Sequence, residues 1–190
     1  MKRIIASLFI IFNTLLLSAQ SHMLFKGIPI DGPISSFVGK LEQKGYTMVK
    51  KYDDGYIMKG IFTGKDAYIY ILNTPKTKTV WKVVASIVQD NPTWDSLKKT
   101  YLEYKQNFIN KYGEPVDNFD YFESPYKEGD GDENTAVIGG KCHYRCFFKQ
   151  EEGYILLEIA KSKNINCGYE DAINVKKEEA EESSLIKDDI

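Results

Sequence analysis

The chain has 190 residues, of which 43% are hydrophobic and 27% are charged, and its formal net charge at pH 7 is −2. This length and composition suit one globular domain, or two small repeats that share a core. The charge balance leaves no basic stripe of the kind that phosphate backbones require, which disfavours nucleic acid as a partner. No segment after residue 20 is long and apolar enough for stable membrane insertion.

Residues 1–20 have the three parts of a secretory signal peptide. Lys2 and Arg3 form a basic start, the run 4–17 is mostly apolar, and a small-residue exit ends at Ala19 and Gln20. The apolar run has about 14 residues, fewer than the roughly 20 that a membrane-spanning helix needs. We therefore expect cleavage after Ala19 or Gln20 and a soluble, exported chain in the periplasm or outside the cell.

The first half of the domain, 27–90, is predicted to contain a short helix followed by four strands. The helix covers 34–44, with Asp31 as its cap and Pro33 in its first turn. Its apolar face consists of Ile34, Phe37, Val38 and Leu41. Runs with a period of two follow at 47–52, 56–62, 67–72 and 80–88, and in the last run the apolar positions are Trp81, Val83, Ala85 and Ile87. Such runs predict an antiparallel meander with one buried face and one at least partly wet.

The second half, 91–175, repeats this order with a longer helix. Thr93 is placed to cap a helix over 94–112, which ends at Gly113. Its apolar stripe consists of Trp94, Leu97, Tyr101, Tyr104, Phe108 and Tyr112. After a stretch of little period, 115–140, strands are predicted at 142–149, 154–161 and, more weakly, 165–169. The acidic tail, 176–190, reads as a frayed helix or a disordered segment.

These elements predict an α+β fold in which residues 21–175 form a single domain. The domain consists of two helix-plus-antiparallel-meander halves, with the helices packed on the sheets. The pieces 51–65 and 149–163 align without a gap, and paired acids precede a glycine in both. The match has two explanations: a tandem duplication, or convergence of two tight hairpins on the same turn chemistry. If the halves are related, the second contains about 30 extra residues, and this insertion lies in 115–140. Long insertions tend to be functional or disordered.

The insertion carries the residues that we expect to contact a partner. These are Tyr121, Phe122, Tyr126, Asp130 and Asp132. Aromatic side chains on a loop offer stacking area and hydroxyl hydrogen bonds to a protein or glycan in the cell envelope or outside the cell. The alternative is that the aromatics tuck under the loop and hold it, with the acids in water.

The same loop contains part of a calcium-binding pattern. Asp130, Asp132 and Asn134 have the spacing of the first, third and fifth ligands of a calcium loop. The sixth position is Thr135, where glycine is needed, and the twelfth is Lys141, where a bidentate Glu belongs. We therefore predict no structural calcium site, with a weak, adventitious cation site as the alternative, and no motif for another metal or cofactor is present.

The three cysteines are predicted to be buried thiols. Along a strand, Cys142 and Cys146 lie about 13 Å apart, too far for a disulfide. A hairpin closed at 151–152 would pair Cys146 with Leu157, and likewise Phe148 with Ile155 and Tyr144 with Ile159, on one apolar face. Cys167 would then lie a further strand away, about 10 Å off. A disulfide from Cys167 remains the alternative and requires a different strand order.

Four short segments carry a resemblance to a known group of proteins. GIPIDG at 27–32, YGEP at 112–115, ESPYKEGDG at 123–131 and GYEDAIN at 168–174 resemble a group of small uncharacterised secreted proteins of Gram-negative anaerobic bacteria. The layout is also similar to that of the tandem-repeat β-lactamase-inhibitor proteins. That likeness implies a concave sheet flanked by helices, and fold does not decide function.

The chain contains no catalytic constellation, so a non-catalytic binding protein is the favoured function. His143 and Cys142 point to opposite faces of their strand, which argues against a Cys/His pair. One alternative is a hydrolase that uses carboxylates of the 119–134 loop, which predicts raised carboxyl pKa values in a deep cleft. Another is a structural envelope component, which predicts a large exposed apolar patch.

Overall fold

An eight-stranded antiparallel sheet organises the molecule. The computed structural model describes residues 21–188, so the predicted signal peptide lies outside the described residues. The first half contains β1 (Leu24–Phe25), β2 (Ile28–Pro29), α1 (Ile34–Glu42), β3 (Thr47–Lys51), β4 (Gly55–Phe62), β5 (Lys65–Asn73) and β6 (Val80–Ile87). The second half contains α2 (Trp94–Tyr112), β7 (Asp117–Phe122), α3 (Glu133–Ile138), β8 (Cys142–Gln150), β9 (Gly153–Ile159), β10 (Ile165–Asp171) and α4 (Ala172–Asp188).

The strand order is β3-β4-β5-β6-β10-β9-β8-β7, so each half contributes four consecutive strands. The halves join where β6 and β10 pair in antiparallel fashion. The predicted α+β fold is thus confirmed. Within residues 21–188, no helix is long and apolar enough to cross a membrane.

The aligned pieces 51–65 and 149–163 occupy different places in the two halves. The first contains β4, next to edge strand β3, whereas the second contains β9, third from edge strand β7. Both glycines face a close neighbouring strand. A Cβ atom at Gly55 would lie 2.4 Å from the carbonyl oxygen of Ile71, and one at Gly153 would lie 1.9 Å from that of Glu170. Both positions require glycine because a neighbouring backbone carbonyl lies too close for a Cβ atom. This requirement explains both glycines even if β4 and β9 are not equivalent strands, and duplication stays a prediction.

The stretch 115–140 is more regular than the sequence suggested. It contains β7, which pairs with β8 along its whole length, and the short helix α3. As an edge strand with no fully buried side chain, β7 lacks the apolar alternation that reveals a strand. The acidic tail is likewise helical as far as Asp188. It belongs to α4, which begins directly after β10.

One face of the sheet is the core face, and α1 and α2 cover it. Its central row crosses six strands through Met58, Ile69, Ala85, Cys167, Leu157 and Cys146, all completely buried. From α1 the predicted face is buried, and from α2 Trp94, Leu97, Tyr101 and Phe108 are buried. The hydroxyl of Thr93 accepts a hydrogen bond from the Ser96 amide and caps α2 as predicted.

Two sequence-based expectations for the first half are wrong. Asp31 does not cap α1, whose N-cap is Pro33 without a side-chain hydrogen bond. Asp31 instead accepts a hydrogen bond from Asn174 at 3.0 Å. Trp81 is displaced from the buried row, because the register shifts by one residue between β5 and β6 and Val80 takes the buried position.

The prediction of buried thiols is confirmed for Cys146 and Cys167, which are completely buried, whereas Cys142 is half-buried. Cys146 pairs with Leu157, and Cys167 pairs with Leu157 from the other side, so two strand spacings separate these cysteines. All three cysteines are free thiols. Burial raises the pKa of Cys142 to about 11 and raises that of Cys167 further. The disulfide alternative is wrong, because the strand order is that of the simple meander.

The N-terminal segment is fastened to the start of α4 by a polar cluster. Asp171, which is completely buried, accepts hydrogen bonds from the amides of Met23 at 2.8 Å and Asn174 at 2.9 Å. His22 Nδ1 lies 3.0 Å from the same carboxylate. The side-chain amide of Asn174 donates to the carbonyl oxygen of Ile30 at 2.9 Å. Segments 27–32 and 168–174 therefore meet in space.

Candidate binding face

The predicted contact residues Tyr121 and Phe122 lie on β7 and point to opposite faces of the sheet. The Phe122 ring packs edge-on against Trp94, with centroids 5.0 Å apart, and belongs to the core margin. The Tyr121 ring is 48% exposed and stacks on His143, with centroids 4.9 Å apart. Of this pair, only Tyr121 has an exposed side chain.

The other predicted contact residues lie in the connection between β7 and β8. Tyr126 is half-buried, whereas Asp130 and Asp132 are exposed. The Asp130 carboxylate accepts hydrogen bonds from the amides of Lys127 at 2.8 Å and Asp132 at 2.9 Å, and these bonds lower its pKa. Asp132 stands at the N-terminus of α3 without a side-chain cap bond. Asp130 therefore shapes the turn in which it lies.

Further acids of this connection are held by positive or hydroxyl partners. Glu123 lies 2.5 Å from Lys141 Nζ and 2.6 Å from His143 Nε2, and these hydrogen bonds lower its pKa. Glu128 has a lowered pKa because it accepts from Lys98 and, at 3.0 Å, from the Tyr144 hydroxyl. These directions are opposite to the raised values that the hydrolase alternative requires. Across residues 21–188, no group of three or more His, Cys, Asp or Glu side chains could hold a metal ion.

The face of the sheet opposite to the core carries an apolar row that sequence reasoning did not predict. Directly paired residues of antiparallel strands share a face. The row consists of Ile57, Tyr70, Val84, Gly168, Leu156 and Phe147, one from each of six neighbouring strands. Its ends are charged, with Lys50 on β3 and Asp117 on β7. We call this row, with the two rows beside it, the open face.

The two flanking rows of the open face are polar and aromatic. One contains Lys59, Tyr68, Ser86, Asn166, Glu158, Arg145 and Phe119. The other contains Leu72, Lys82, Glu170, Tyr154 and Lys149. Apart from glycine, only Ser86 is buried among the residues of these three rows. Tyr68, Tyr70 and Tyr154 are exposed by about two fifths each, at 40%, 39% and 43%.

Two positions in the open face have distinctive surroundings. Gly168 lies near the centre of the apolar row, between Val84 and Leu156, and is buried. Arg145 makes no ion pair with Glu158, its direct neighbour across the strands, and instead lies over the Phe119 ring at 5.1 Å. An arginine placed over an aromatic ring can still donate hydrogen bonds to an acidic group.

Sequence reasoning missed this face although a signal was present. The predicted strands alternate, but the second set of alternating positions contains aromatic and aliphatic residues as well as charged ones. A strand with one solvated face ordinarily places polar residues there. The apolar members of the second set were the available signal, and only the register shows that they form one row.

The chain was compared with protein-family models, with curated proteins and with solved structures. None of the three comparisons returned a match. A function for the open face therefore has to be argued from its own residues.

Proposed function

We propose that this chain is an exported, non-catalytic binding protein whose partner is a folded protein seated on the open face. The observation that carries the proposal is the apolar row across six strands with polar rows on both sides. Protein interfaces have this anatomy, with an apolar centre, a polar rim and an excess of Tyr, Phe and Arg.

The dimensions of the open face suit such a partner. Six strands about 4.8 Å apart make the row roughly 24 Å long. A stable interface buries about 800 Å² on each partner, equivalent to a square of roughly 28 Å. The flanking rows contain Lys59, Arg145 and Lys82 as well as Glu158 and Glu170, so the rim fits a protein surface of mixed charge.

The proposed surface includes part of the contact region expected from the sequence. β7 forms one edge of the sheet, and Tyr121 lies beside His143 on the side of the open face. The centre of contact therefore moves from the 115–135 insertion to the sheet, with Tyr121 at its rim. Removing 119–134 would delete most of β7 and the first two residues of α3, so single substitutions test the proposal more cleanly.

A photocrosslinking experiment tests this proposal. Benzoylphenylalanine would be placed at Tyr70 on the open face and, as the matched control, at Leu102 on the outer side of α2. These side chains are similarly exposed, at 39% and 44%. We expect the Tyr70 position to give one discrete protein adduct in producing cells, which Leu156→Asp abolishes, and the Leu102 position to give none.

Other outcomes of this experiment contradict the proposal in distinguishable ways. An adduct of twice the chain's own mass would identify self-association in place of a different partner. A carbohydrate adduct would favour glycan binding through the tyrosines. Equal labelling from Tyr70 and Leu102 would show that the open face has no specific occupant. A stable complex from which the protein cannot be isolated alone would favour the structural envelope component.

A further inference from the structure

A second candidate site lies on the helical side of the molecule, away from the open face. It is a cleft with a volume of about 900 Å³ between the β1–β2 hairpin, the β4–β5 turn and the C-terminal half of α2. Small-molecule sites have volumes of about 300–1,000 Å³. The cleft arises because α1 contacts strands of the first half and α2 contacts strands of the second half.

The floor of the cleft is aromatic. The Phe25 ring stacks on Phe62 with centroids 5.6 Å apart and planes at 7°, and it meets Tyr169 edge-on at 5.5 Å. Phe108 and Tyr112 extend this floor from α2, with centroids 5.5 Å apart. Such a floor favours an apolar chain or ring over a strongly hydrated ligand.

The rim of the cleft is polar, and one hydrogen bond ties two of its walls together. The Tyr104 hydroxyl lies 2.6 Å from the Thr63 hydroxyl, which joins α2 to the β4–β5 turn. This bond fixes the width of the opening at one end, so the cleft is built before a ligand arrives. Preformed sites lose less entropy on binding.

Three lysines surround the mouth: Lys26 on the β1–β2 turn, Lys65 at the start of β5 and Lys111 near the end of α2. Within the described part of the chain, none of the three makes an ion pair with an acid. The acids of the mouth are Asp90 and Glu103, and Glu103 lies 4.0 Å from Lys99. The mouth therefore has an excess of positive charge that is not neutralised internally.

We propose that this cleft binds a small amphipathic carboxylate, with its apolar part on the aromatic floor and its carboxylate at the lysine mouth. The floor supplies apolar surface that a ligand can bury. The lysines supply charge-assisted hydrogen bonds and select anions over neutral and cationic analogues. The cleft and the open face lie on opposite sides of the sheet, so this site does not depend on the proposed protein partner.

Titration of the mature chain with defined probes tests the site. The probes are decanoate, 3-phenylpropionate, neutral 1-decanol and decyltrimethylammonium, followed by calorimetry and amide chemical shifts. We expect one saturable site for a carboxylate, with shifts at Lys26, Thr63 and Asn107. The better of the two carboxylates shows whether the floor prefers a chain or a ring.

Three variants of the cleft and one control variant complete the test. Lys65→Glu and Lys111→Glu should each weaken carboxylate binding about fivefold or more, whereas Lys149→Glu on the open face should leave it unchanged. Asn107→Trp, at an exposed position of α2 that lines the cleft, should occupy the mouth and abolish binding without loss of stability. Equal affinity for decanol and decanoate, unaltered binding by all three variants, or no saturable binding below 1 mM, a weak-affinity limit of about −4 kcal/mol, would each overturn the proposal.

Discussion

The two faces of the sheet are formed by the same strands but differ in burial, and two neighbouring leucines show this difference. Leu157 lies on the core face between Cys146 and Cys167 and is completely buried. Leu156 lies on the open face between Phe147 and Gly168 and is half-buried. Both residues are equally hydrophobic, so hydrophobicity does not distinguish a residue that stabilises the fold from one available to a partner.

What separates the faces is the composition of the rows beside the central one. On the core face, the adjoining row through Ile71, Val83, Tyr169, Ile155 and Phe148 is buried as well, so the helices cover a continuous apolar surface. On the open face, the adjoining rows carry Lys, Glu and Arg, which stay hydrated. Covering that apolar row requires a partner with a narrow apolar ridge and a polar border.

The largest expected effect on stability is the difference between alanine substitutions at the two leucines. Leu157→Ala should lower the free energy of unfolding by about 2–5 kcal/mol, because it leaves a cavity in a closed core. Leu156→Ala should lower it by less than about 1 kcal/mol, because water or rotated neighbours replace the lost contacts. Urea denaturation followed by tryptophan fluorescence measures both, and equal losses would show that the open face is covered within the monomer.

A second adjacent pair applies the same test to charged residues. Asp171→Ala should destabilise the protein by about 2–4 kcal/mol, since it leaves the buried amides of Met23 and Asn174 without an acceptor. Glu170 lies on the open face, 2.6 Å from Lys82, where both side chains are partly exposed. Glu170→Ala should cost less than about 1 kcal/mol. Thermal unfolding of the two variants separates these outcomes, and a large loss in Glu170→Ala would contradict the assignment of its face.

Thiol labelling examines the core face without any substitution. Cys146 and Cys167 are completely buried, so they should react with a thiol reagent only through unfolding. Cys142, the first residue of β8, is half-buried and should react first. Since its raised pKa is about 11, its labelling rate should increase about tenfold per pH unit between pH 8 and 10, as the thiolate fraction increases. A rate independent of pH in this range would indicate that opening of the structure, and not ionisation, limits the reaction.

The smallest expected effect concerns Gly168, near the centre of the apolar row of the open face. A Cβ atom at Gly168 would lie 3.6 Å from Leu156 Cβ and 3.8 Å from Val84 Cγ2, which are ordinary contacts. Gly168→Ala should therefore change stability by less than about 1 kcal/mol, with a gain expected from the stiffer unfolded chain. A loss of stability above that limit would show that the face is strained at its centre.

Elements with a local cause were predictable from the sequence. The stripe from Trp94 to Tyr112 follows the helical period, and Thr93 and Gly113 define its ends. The pairing of Phe148 with Ile155 followed from the short turn at 151–152, and that register placed the cysteines correctly. In each case the interacting residues are close along the chain, so turn geometry and periodicity are sufficient.

The sequence alone also established the α+β architecture, since each half alternates one helix with strands of period two. Only the tertiary structure decided the role of β7, which pairs as an edge strand without an apolar period, and that of α4. Glu181 of α4 shows why: burial alone would raise its pKa, but hydrogen bonds from the Thr77 hydroxyl and the amides of Thr77 and Lys76 lower it to about 2. The apolar row and the aromatic cleft are likewise long-range products. Each combines residues from distant segments, and their proximity depends on the register of the whole sheet and not on any local pattern.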